Sequence, residues 1–169
     1  YSLLETIRDY GLEHLRASGN GDDIHTAHAA YFLVLAEDGL ARLDRKTRKQ
    51  WLDRCDLERD NFRAALEGLV DRGNGQWALR LVLALYRYWE RREYLGEACS
   101  VLLSVLKRFE PSTNPAVWAQ VACCAGALEG RMGNQEAGRA HLERGLEVAR
   151  QVGDKAVEIM ALTSLAVSL

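Results

Sequence analysis

Proline, aromatic residues and long apolar runs are all scarce in this sequence. Its 169 residues include only two prolines and 8% aromatic residues, whereas 48% of the chain is hydrophobic. Few helix breakers and a high apolar content are typical of a folded, helix-rich domain and exclude a disordered segment. No apolar run approaches the roughly 20 residues of a membrane-spanning helix, and the N-terminus lacks the layout of a secretory signal. We therefore predict a cytoplasmic location without membrane contact.

Cysteine and excess charge are also limited. The four cysteines are too few for a disulfide scaffold and lie in apolar helical patterns, which predicts reduced thiols in the core: Cys55, Cys99, Cys123 and Cys124. The adjacent pair would point about 100° apart on a helix, so one metal ion could not bind both without distortion. The formal charge of −2 offers no excess of cations for nucleic acid. We expect no metal, no cofactor and no direct nucleic-acid contact.

Motifs that carry catalysis are absent. The sequence has no Gly-x-x-x-x-Gly-Lys-[Ser/Thr] phosphate loop, so no residue is assigned to ATP, and no DNA recognition helix is evident. His25 and His28 share a helix face, but no carboxylate or thiol pattern completes a metal site. A run of close carboxylates is typical of an exposed helix face: Asp53, Asp56, Glu58 and Asp60. Without a convergent polar constellation, we predict no enzymatic activity.

Apolar residues recur at helical spacing through nearly every segment, and no stretch alternates as a half-buried strand does. The pattern predicts eight helices, at about 3–17, 22–43, 47–71, 76–91, 94–109, 115–132, 135–152 and 155–169. The third is expected to kink near Cys55 and to bury Leu57, and Leu40 is expected in the core. The fourth is apolar on several sides and is predicted to be central.

Small residues and glycine breaks repeat near the C-terminal end. Gly126, Gly138 and Gly145 flank a break at Gly133-Asn134, and a second break follows at Gly153-Asp154. Leu165-Ala166 falls forty residues after Ala125-Gly126. This spacing predicts helix hairpins of a repeat array, with small residues where paired helices touch.

The repeat can be followed backward with a less regular sequence. Arg92 to Gly96 falls forty-one residues before Gly133 to Ala137, which places Leu85 opposite Gly126 and Ser104 opposite Gly145. The last helix stops in the middle of its pattern, and Tyr1 is no natural start. We therefore expect the chain to be a fragment of a longer array.

Four segments together resemble one protein family. They are LLETIRDY at 3–10, HAAYFL at 28–33, WLDR at 51–54 and ERDNFRAAL at 58–66. In order and spacing they are similar to the large bacterial regulators of the STAND ATPase type, including LuxR-type and AfsR-like transcription factors. The resemblance covers essentially the whole chain, although each segment alone is only an amphipathic helix.

The resemblance implies an all-α fold of antiparallel helix hairpins stacked as a right-handed tetratricopeptide-like array. Residues 1–18 would be the tail of the winged-helix part of an absent ATPase module, 19–110 degenerate helical repeats, and 111–169 tetratricopeptide-like repeats truncated at the C-terminus. The implied role is a sensor or interaction segment that contacts or restrains the ATPase module. Its partner would be that module or another regulator, and a small-molecule effector domain is the alternative.

The repeats depart from the common tetratricopeptide pattern. Glu129 stands where an aromatic residue is frequent, Gly138 replaces the usual alanine, and the period is nearer forty residues than thirty-four. These differences weaken the expectation of a familiar peptide-binding groove.

The densest aromatic and basic stretch is the candidate surface for a partner or effector. It comprises Tyr86, Arg87, Trp89, Arg91, Arg92 and Tyr94. Aromatic faces and arginines could hold a peptide or ligand on the inner side of an array. Packing between neighbouring repeats is the preferred interpretation of this stretch, because Glu93 interrupts the stripe.

One basic cluster stands apart from this stretch, at Arg42, Arg45, Lys46, Arg48 and Lys49. Nearby carboxylates offset its charge, and a solvated helix junction is the preferred interpretation. A phosphate or an acidic partner surface is the alternative.

Overall fold

The computed structural model describes residues 21–39 and 45–167, and the regular secondary structure there is entirely helical. Its α-helices are α1 (Gly21–Asp38), α2 (Arg45–Leu57), α3 (Arg59–Asp71), α4 (Gly75–Arg92), α5 (Leu95–Arg108), α6 (Pro115–Arg131), α7 (Gln135–Val152) and α8 (Lys155–Val167). A 3₁₀ turn, Pro111–Thr113, precedes α6. The predicted all-α class is confirmed. The predicted first helix, Leu40 and Arg42 lie outside the described residues, and the predicted domain boundaries stay predictions.

The last five helices are evenly spaced along the chain. They begin at Gly75, Leu95, Pro115, Gln135 and Lys155, so each starts twenty residues after the one before it. Sequence-adjacent helices from α3 onward pack on each other, and α4, α6 and α8 also contact in turn. The array is therefore built from hairpins of forty residues, as the spacing of small residues predicts.

One turn geometry recurs at four of the helix ends. In each, a backbone N–H bonds to the carbonyl five residues earlier, which is the Schellman arrangement. The pairs are Asn74 to Leu69, Tyr94 to Trp89, Asn134 to Glu129, and Asp154 to Ala149, at 2.8–2.9 Å. The residue before each donor has positive φ, at Gly73, Glu93, Gly133 and Gly153. Left-handed backbone suits glycine, so Glu93 is the exception in the series.

These turns correct the predicted register by one residue. Glu93 (φ 61°) corresponds to Gly133 (φ 92°), an offset of forty residues and not forty-one. Tyr86, not Leu85, therefore matches Gly126, and Val105, not Ser104, matches Gly145. The physical reason is that the left-handed backbone conformation defines the turn. Because Glu93 adopts this conformation in place of a glycine, the glycine pattern of the sequence does not reveal the turn.

The two backbones of the α6–α7 hairpin approach each other at glycines. A Cβ atom on Gly126 would lie 2.6 Å from the Gly138 carbonyl oxygen, and one on Gly138 would lie 2.7 Å from the Gly126 carbonyl oxygen. A Cβ on Gly145 would lie 2.6 Å from Cys123 Sγ. These reciprocal contacts run antiparallel, and the prediction that small residues mark helix contacts is confirmed.

Helix α4 is central, as predicted. It packs on α1, α3, α5 and α6, and its buried residues are Gly75, Ala78, Leu79, Leu81, Val82, Ala84, Leu85, Tyr88 and Trp89. Asn74 accepts a hydrogen bond from the Trp77 N–H at 3.2 Å and so begins the helix. The core runs without interruption from α1 to α8.

The predicted third helix is in fact two helices, α2 and α3. Glu58 stands between them, and its N–H bonds to both Arg54 and Cys55 carbonyls, at 3.1 and 3.2 Å. Trp51 and Cys55 lie on the buried face of α2, whereas Leu57 follows Cys55 by two residues, which is about 200° around the helix, and is 82% exposed. The expectation that Leu57 is a core residue is wrong for this reason.

All four cysteines are free and buried, so the prediction of core thiols is confirmed. Burial raises the pKa of Cys55 and Cys124 to about 12 and that of Cys123 to about 11, and it also raises the pKa of Cys99. A protonated, enclosed thiol is a poor nucleophile.

We expect iodoacetamide at pH 8 to alkylate the folded chain at least about a hundredfold more slowly than the chain in guanidinium, because little thiolate exists at that pH. Intact-mass spectrometry against time measures both rates. Rapid native labelling of any of these cysteines would contradict the buried positions.

Candidate functional site

Two aromatic residues of the predicted surface are engaged in packing. Trp89 is 5% exposed and belongs to the core. Tyr86 is half-buried, and its hydroxyl donates to Glu90 Oε1 at 3.5 Å. Burial raises the pKa of the Tyr86 phenol above its ordinary value, with smaller effects from Cys124 and Glu90. The stripe therefore does not form an open aromatic wall.

Arg92 belongs to an ion-pair network that joins α4 to α2. Its guanidinium lies 2.8 Å from Asp53 Oδ1 and 2.6 Å from Asp56 Oδ2. The hydrogen bond from Arg92 lowers the pKa of Asp53. The Tyr88 hydroxyl donates to Asp56 Oδ1 at 2.9 Å, and burial, followed by that bond, raises the pKa of the Tyr88 phenol. Two of the predicted exposed carboxylates thus hold helices together.

Tyr94 is also covered by its own chain. The Arg59 guanidinium stacks over the Tyr94 ring at 4.5 Å from the centroid and forms an ion pair with Glu97 at 2.6 Å. The Tyr88 and Tyr94 rings form a T-shaped pair, with 5.9 Å between their centroids. Of the six candidate residues, only Arg87 and Arg91 are exposed, and neither has a hydrogen bond or ion pair among the described residues.

The remaining sequence candidates are dispersed. Burial lowers the pKa of His28, whose ring lies 4.6 Å from that of Phe32. Lys49 pairs with Asp53 at 3.4 Å on an exposed surface, as a solvated junction would. Within 21–39 and 45–167, no three His, Cys, Asp or Glu side chains group as metal ligands would.

A pocket of about 380 Å³ lies between α6, α7 and α8. Gly126 and Gly130 of α6 and Gly138 of α7 form its floor, and Leu142 adds an apolar wall. Its volume is within the range of small-molecule sites, which are mostly apolar with a few placed polar groups. Among the described residues this is the cavity best suited to hold a ligand.

The polar groups of the pocket are mainly cationic or neutral. Arg131 and Arg139 stand at the rim with Gln135, and Thr163 and Ser164 of α8 close the opposite side. No carboxylate lines the pocket within the described chain. Arg131 lies 4.0 Å from Glu90 Oε1, both side chains being partly exposed, so this ion pair is weak.

Three other polar side chains of the rim differ in their hydrogen bonds within the chain. The Gln135 side-chain amide donates to the Gly130 carbonyl at 3.1 Å. The Thr163 hydroxyl donates to the Ile159 carbonyl at 2.7 Å, so its oxygen can still accept. Arg139 is exposed and has no hydrogen bond or ion pair with any described residue. It is the free cation of the rim.

The sequence analysis missed this pocket, because it interpreted Gly126 and Gly138 only as packing residues. The available signal was Gly130, four residues after Gly126 and therefore on the same helix face. A Cβ on Gly130 would meet only Gln135 Oε1, at 3.6 Å, so this glycine leaves space without being required by a contact.

Helix α8 exposes several apolar side chains beside the pocket. Ile159 is 66% exposed, Leu162 46% and Val167 85%. Apolar residues grouped on one element commonly mark an interaction surface. No helix in the described part of the chain is long and apolar enough to cross a membrane.

The fold and this pocket together define a class of protein, a helical hairpin array with a ligand-sized cavity. The chain is 32% identical over 171 residues to "Putative HTH-type transcriptional regulator Rv0890c" of Mycobacterium tuberculosis and to "Putative HTH-type transcriptional regulator Mb0914c" of Mycobacterium bovis. The alignment covers 97% of this chain and 19% of each relative.

The similarity thus extends over nearly the whole chain, which spans about a fifth of the length of these curated relatives. It agrees with the coarser part of the predicted resemblance, a helical region of transcriptional regulators. No protein-family model matches the chain. No solved structure matches it.

Proposed function

We propose that this chain is a non-catalytic sensor and interaction segment of a bacterial transcriptional regulator. The observation that carries the proposal is the alignment of 97% of the chain with one region of proteins described as transcriptional regulators. Its hairpins expose side chains of α4 and α8, as a segment that binds another protein must. The protein would act in the cytoplasm, without a cofactor of its own.

The finer assignment is a tetratricopeptide-like, right-handed array that restrains the ATPase module of a STAND-type, LuxR-type or AfsR-like regulator. The motifs at 3–10, 28–33, 51–54 and 58–66 support it. So does the forty-residue period, since each hairpin contacts its neighbours and can transmit a change in packing along the array.

Arg87 and Arg91 are the residues of the predicted surface best placed for a partner. Both are exposed on α4, whereas Trp89 and Arg92 serve the fold. Exposed cations at an interface mainly set the association rate and the choice of partner. An acidic surface on the ATPase module would meet them.

We expect the chain to bind the ATPase module of its own parent protein in a nucleotide-dependent manner, measured by calorimetry with ADP or ATP. The double variant Arg87→Ala/Arg91→Ala should bind about fivefold more weakly, because two charge contacts are lost. The matched control Arg63→Ala/Arg150→Ala removes the same charge from other exposed positions of the described chain and should bind normally.

Two results would contradict this proposal. One is the absence of binding in either nucleotide state while the chain is folded by circular dichroism. The other is an equal loss of affinity in both double variants, since this would indicate a general effect of charge and no surface on α4.

A second function is favoured by the pocket between α6, α7 and α8. A small-molecule effector that filled this space would contact three helices of two successive hairpin units at once. Such a position could couple ligand binding to the packing of the array. The two functions are compatible, because Arg87 and Arg91 do not line the pocket.

A further inference from the structure

Helix α8 carries an apolar stripe on the side that faces away from the core. Val157 and Ala161 are buried on one side of the helix, whereas Ile159 is 66% exposed and Leu162 is 46% exposed on the other. The stripe continues at positions three, four and seven residues after its first member, so its four residues share one helix face. This α8 stripe comprises Ile159, Leu162, Thr163 and Ala166, all of which are exposed.

The α8 stripe has no charge and no free side-chain donor. The segment from Ile159 to Val167 contains no charged residue, and the Thr163 hydroxyl donates to the Ile159 carbonyl within the helix at 2.7 Å. A partner therefore gains no ion pair from the stripe and must supply apolar side chains. Anchors at i, i+3, i+4 and i+7 are the arrangement on which an amphipathic helix docks.

Helix α8 is the counterpart of α6 in the preceding hairpin. Asn114 begins α6 by accepting the Val117 N–H at 3.4 Å, and Asp154 begins α8 by accepting the Val157 N–H at 3.1 Å. The two caps lie forty residues apart, so the residues of the two helices can be matched at this offset. Three members of the α8 stripe then have counterparts on α6: Ile159 matches Ala119, Thr163 matches Cys123, and Ala166 matches Gly126.

These counterparts on α6 are the residues that α7 covers. Ala119 is 0% exposed and Cys123 is 1% exposed. A Cβ on Gly145 of α7 would lie 2.6 Å from Cys123 Sγ and 3.0 Å from the Ala119 carbonyl oxygen. Gly126 in turn faces Gly138 of α7. The same face of α8 is open within the described chain, so the repeat indicates that the occupant it fits is a second helix, packed as α7 packs on α6.

The two second helices of the array, α5 and α7, share a pattern of inward-facing residues. Each has a small residue, a leucine four positions later, and a glycine or valine three positions after the leucine. All of these residues are buried: Ala98, Leu102 and Val105 in α5, and Gly138, Leu142 and Gly145 in α7. The pattern specifies the chemistry of a helix that packs at this place in a hairpin.

We propose that the α8 stripe docks an amphipathic helix of a partner protein, and that this helix carries the pattern shared by α5 and α7. Its leucine lies against Ala166, and its glycine or valine lies against Ile159 and Thr163. This inference rests on the interaction function proposed above and specifies the partner. It adds an apolar docking surface on α8 to the cationic surface on α4.

A synthetic peptide of residues 135–152, the sequence of α7, is the probe. It carries the required pattern and contains no cysteine. The fluorescence anisotropy of the fluorescein-labelled peptide is measured while the 169-residue chain is added. We expect a Kd on the order of 100 µM, because the short peptide must become helical as it binds. The same peptide with Leu142→Glu should bind at least about tenfold more weakly, because its charge would be buried.

A variant of the chain locates the binding on α8. Ile159→Glu places a charge within the α8 stripe and should weaken binding of the original peptide at least about tenfold. Val34→Glu is the matched control, because Val34 on α1 is also 66% exposed, and it should bind the peptide as the original chain does. Both positions are exposed, so both variants should keep the circular dichroism of the original chain. The Leu142→Glu peptide tests the same contact without altering the chain.

Four results would overturn the inference. The absence of peptide binding would exclude a helix of this pattern, and normal binding by Ile159→Glu would place the peptide elsewhere, as in an exchange with the chain's own α7. Equal weakening by Ile159→Glu and Val34→Glu would indicate a general effect of charge. A dimer in analytical ultracentrifugation that Ile159→Glu dissociates would make a second copy of this chain the occupant.

The test of the α8 stripe is separate from the test of the interaction function. Binding of the ATPase module is measured without the peptide, and its variants are at Arg87 and Arg91 on α4. Failure of the peptide test with normal binding of the module would therefore remove the α8 stripe alone. Failure of the module test would remove the proposed function, whatever the peptide does.

Discussion

Gly138→Ala lowers the free energy of unfolding by about 2 kcal/mol, as measured by urea denaturation. The added Cβ would lie 2.7 Å from the Gly126 carbonyl oxygen and 2.9 Å from the Gly130 nitrogen. Both are backbone atoms of α6, so no side chain can turn aside to relieve the contact. Overpacking costs about 1–3 kcal/mol, and we expect the upper end because two helices must separate. The higher helix propensity of alanine offsets about 1 kcal/mol of this cost, which leaves the net loss of about 2 kcal/mol.

Gly130→Ala is the matched control, because it makes the same substitution on the facing helix. Its Cβ meets only the end of the Gln135 side chain, at 3.6 Å. Without an overpacking cost, only the gain in helix propensity remains, and the variant should be more stable by up to about 1 kcal/mol. Equal effects of the two substitutions would mean that the backbones of α6 and α7 are not in contact.

Trp89→Ala is the second large effect, with an expected loss of about 3–5 kcal/mol in the free energy of unfolding. The Trp89 side chain is 5% exposed. The Trp89 backbone carbonyl accepts a hydrogen bond from the Tyr94 N–H in the turn between α4 and α5. Removing the indole leaves a cavity in the core that these helices share. Urea denaturation measures the loss, and Trp89→Phe should lose less because a ring still fills part of the space.

Tyr31→Ala provides the comparison for this prediction. Tyr31 is 54% exposed, so its truncation should change the stability by less than about 1 kcal/mol. If Trp89 formed part of an open binding wall, Trp89→Ala would resemble Tyr31→Ala in stability and would differ only in binding. A small loss would therefore restore the surface interpretation of the stretch from Tyr86 to Tyr94.

Much of the array was predictable because turns and close contacts have local signals. Gly-Asn and Gly-Asp pairs mark left-handed turns followed by N-caps, so the predicted bounds of the helix at 135–152 agree with α7. Glycines on facing helices at Gly126 and Gly138 likewise predict close backbones. The turns depend on residues that are close in sequence, and the close helix contacts depend on glycines, which have no side chain. Both kinds of residue recur at regular spacing, so the sequence pattern reveals them.

Features that depend on neighbouring helices could not be predicted in this way. Helix α4 is apolar or aromatic on several faces, so its sequence alone could not say whether Trp89 is buried or exposed. The pocket requires the position of α8, whose lining residue Thr163 lies 25 residues after Gly138 and 37 residues after Gly126. Arg92 could be assigned as a surface cation or a network residue only after α2 was placed beside α4.

The touching backbones of α6 and α7 have a mechanical consequence. Two helices whose backbones are so close at glycines leave little room for relative movement, so we expect the α6–α7 hairpin to behave as one rigid unit. The pocket lies at the joint between that unit and α8. Under the proposed effector-binding function, a ligand in this joint would change the angle between the α6–α7 hairpin and α8 and would leave the interior of the hairpin unchanged.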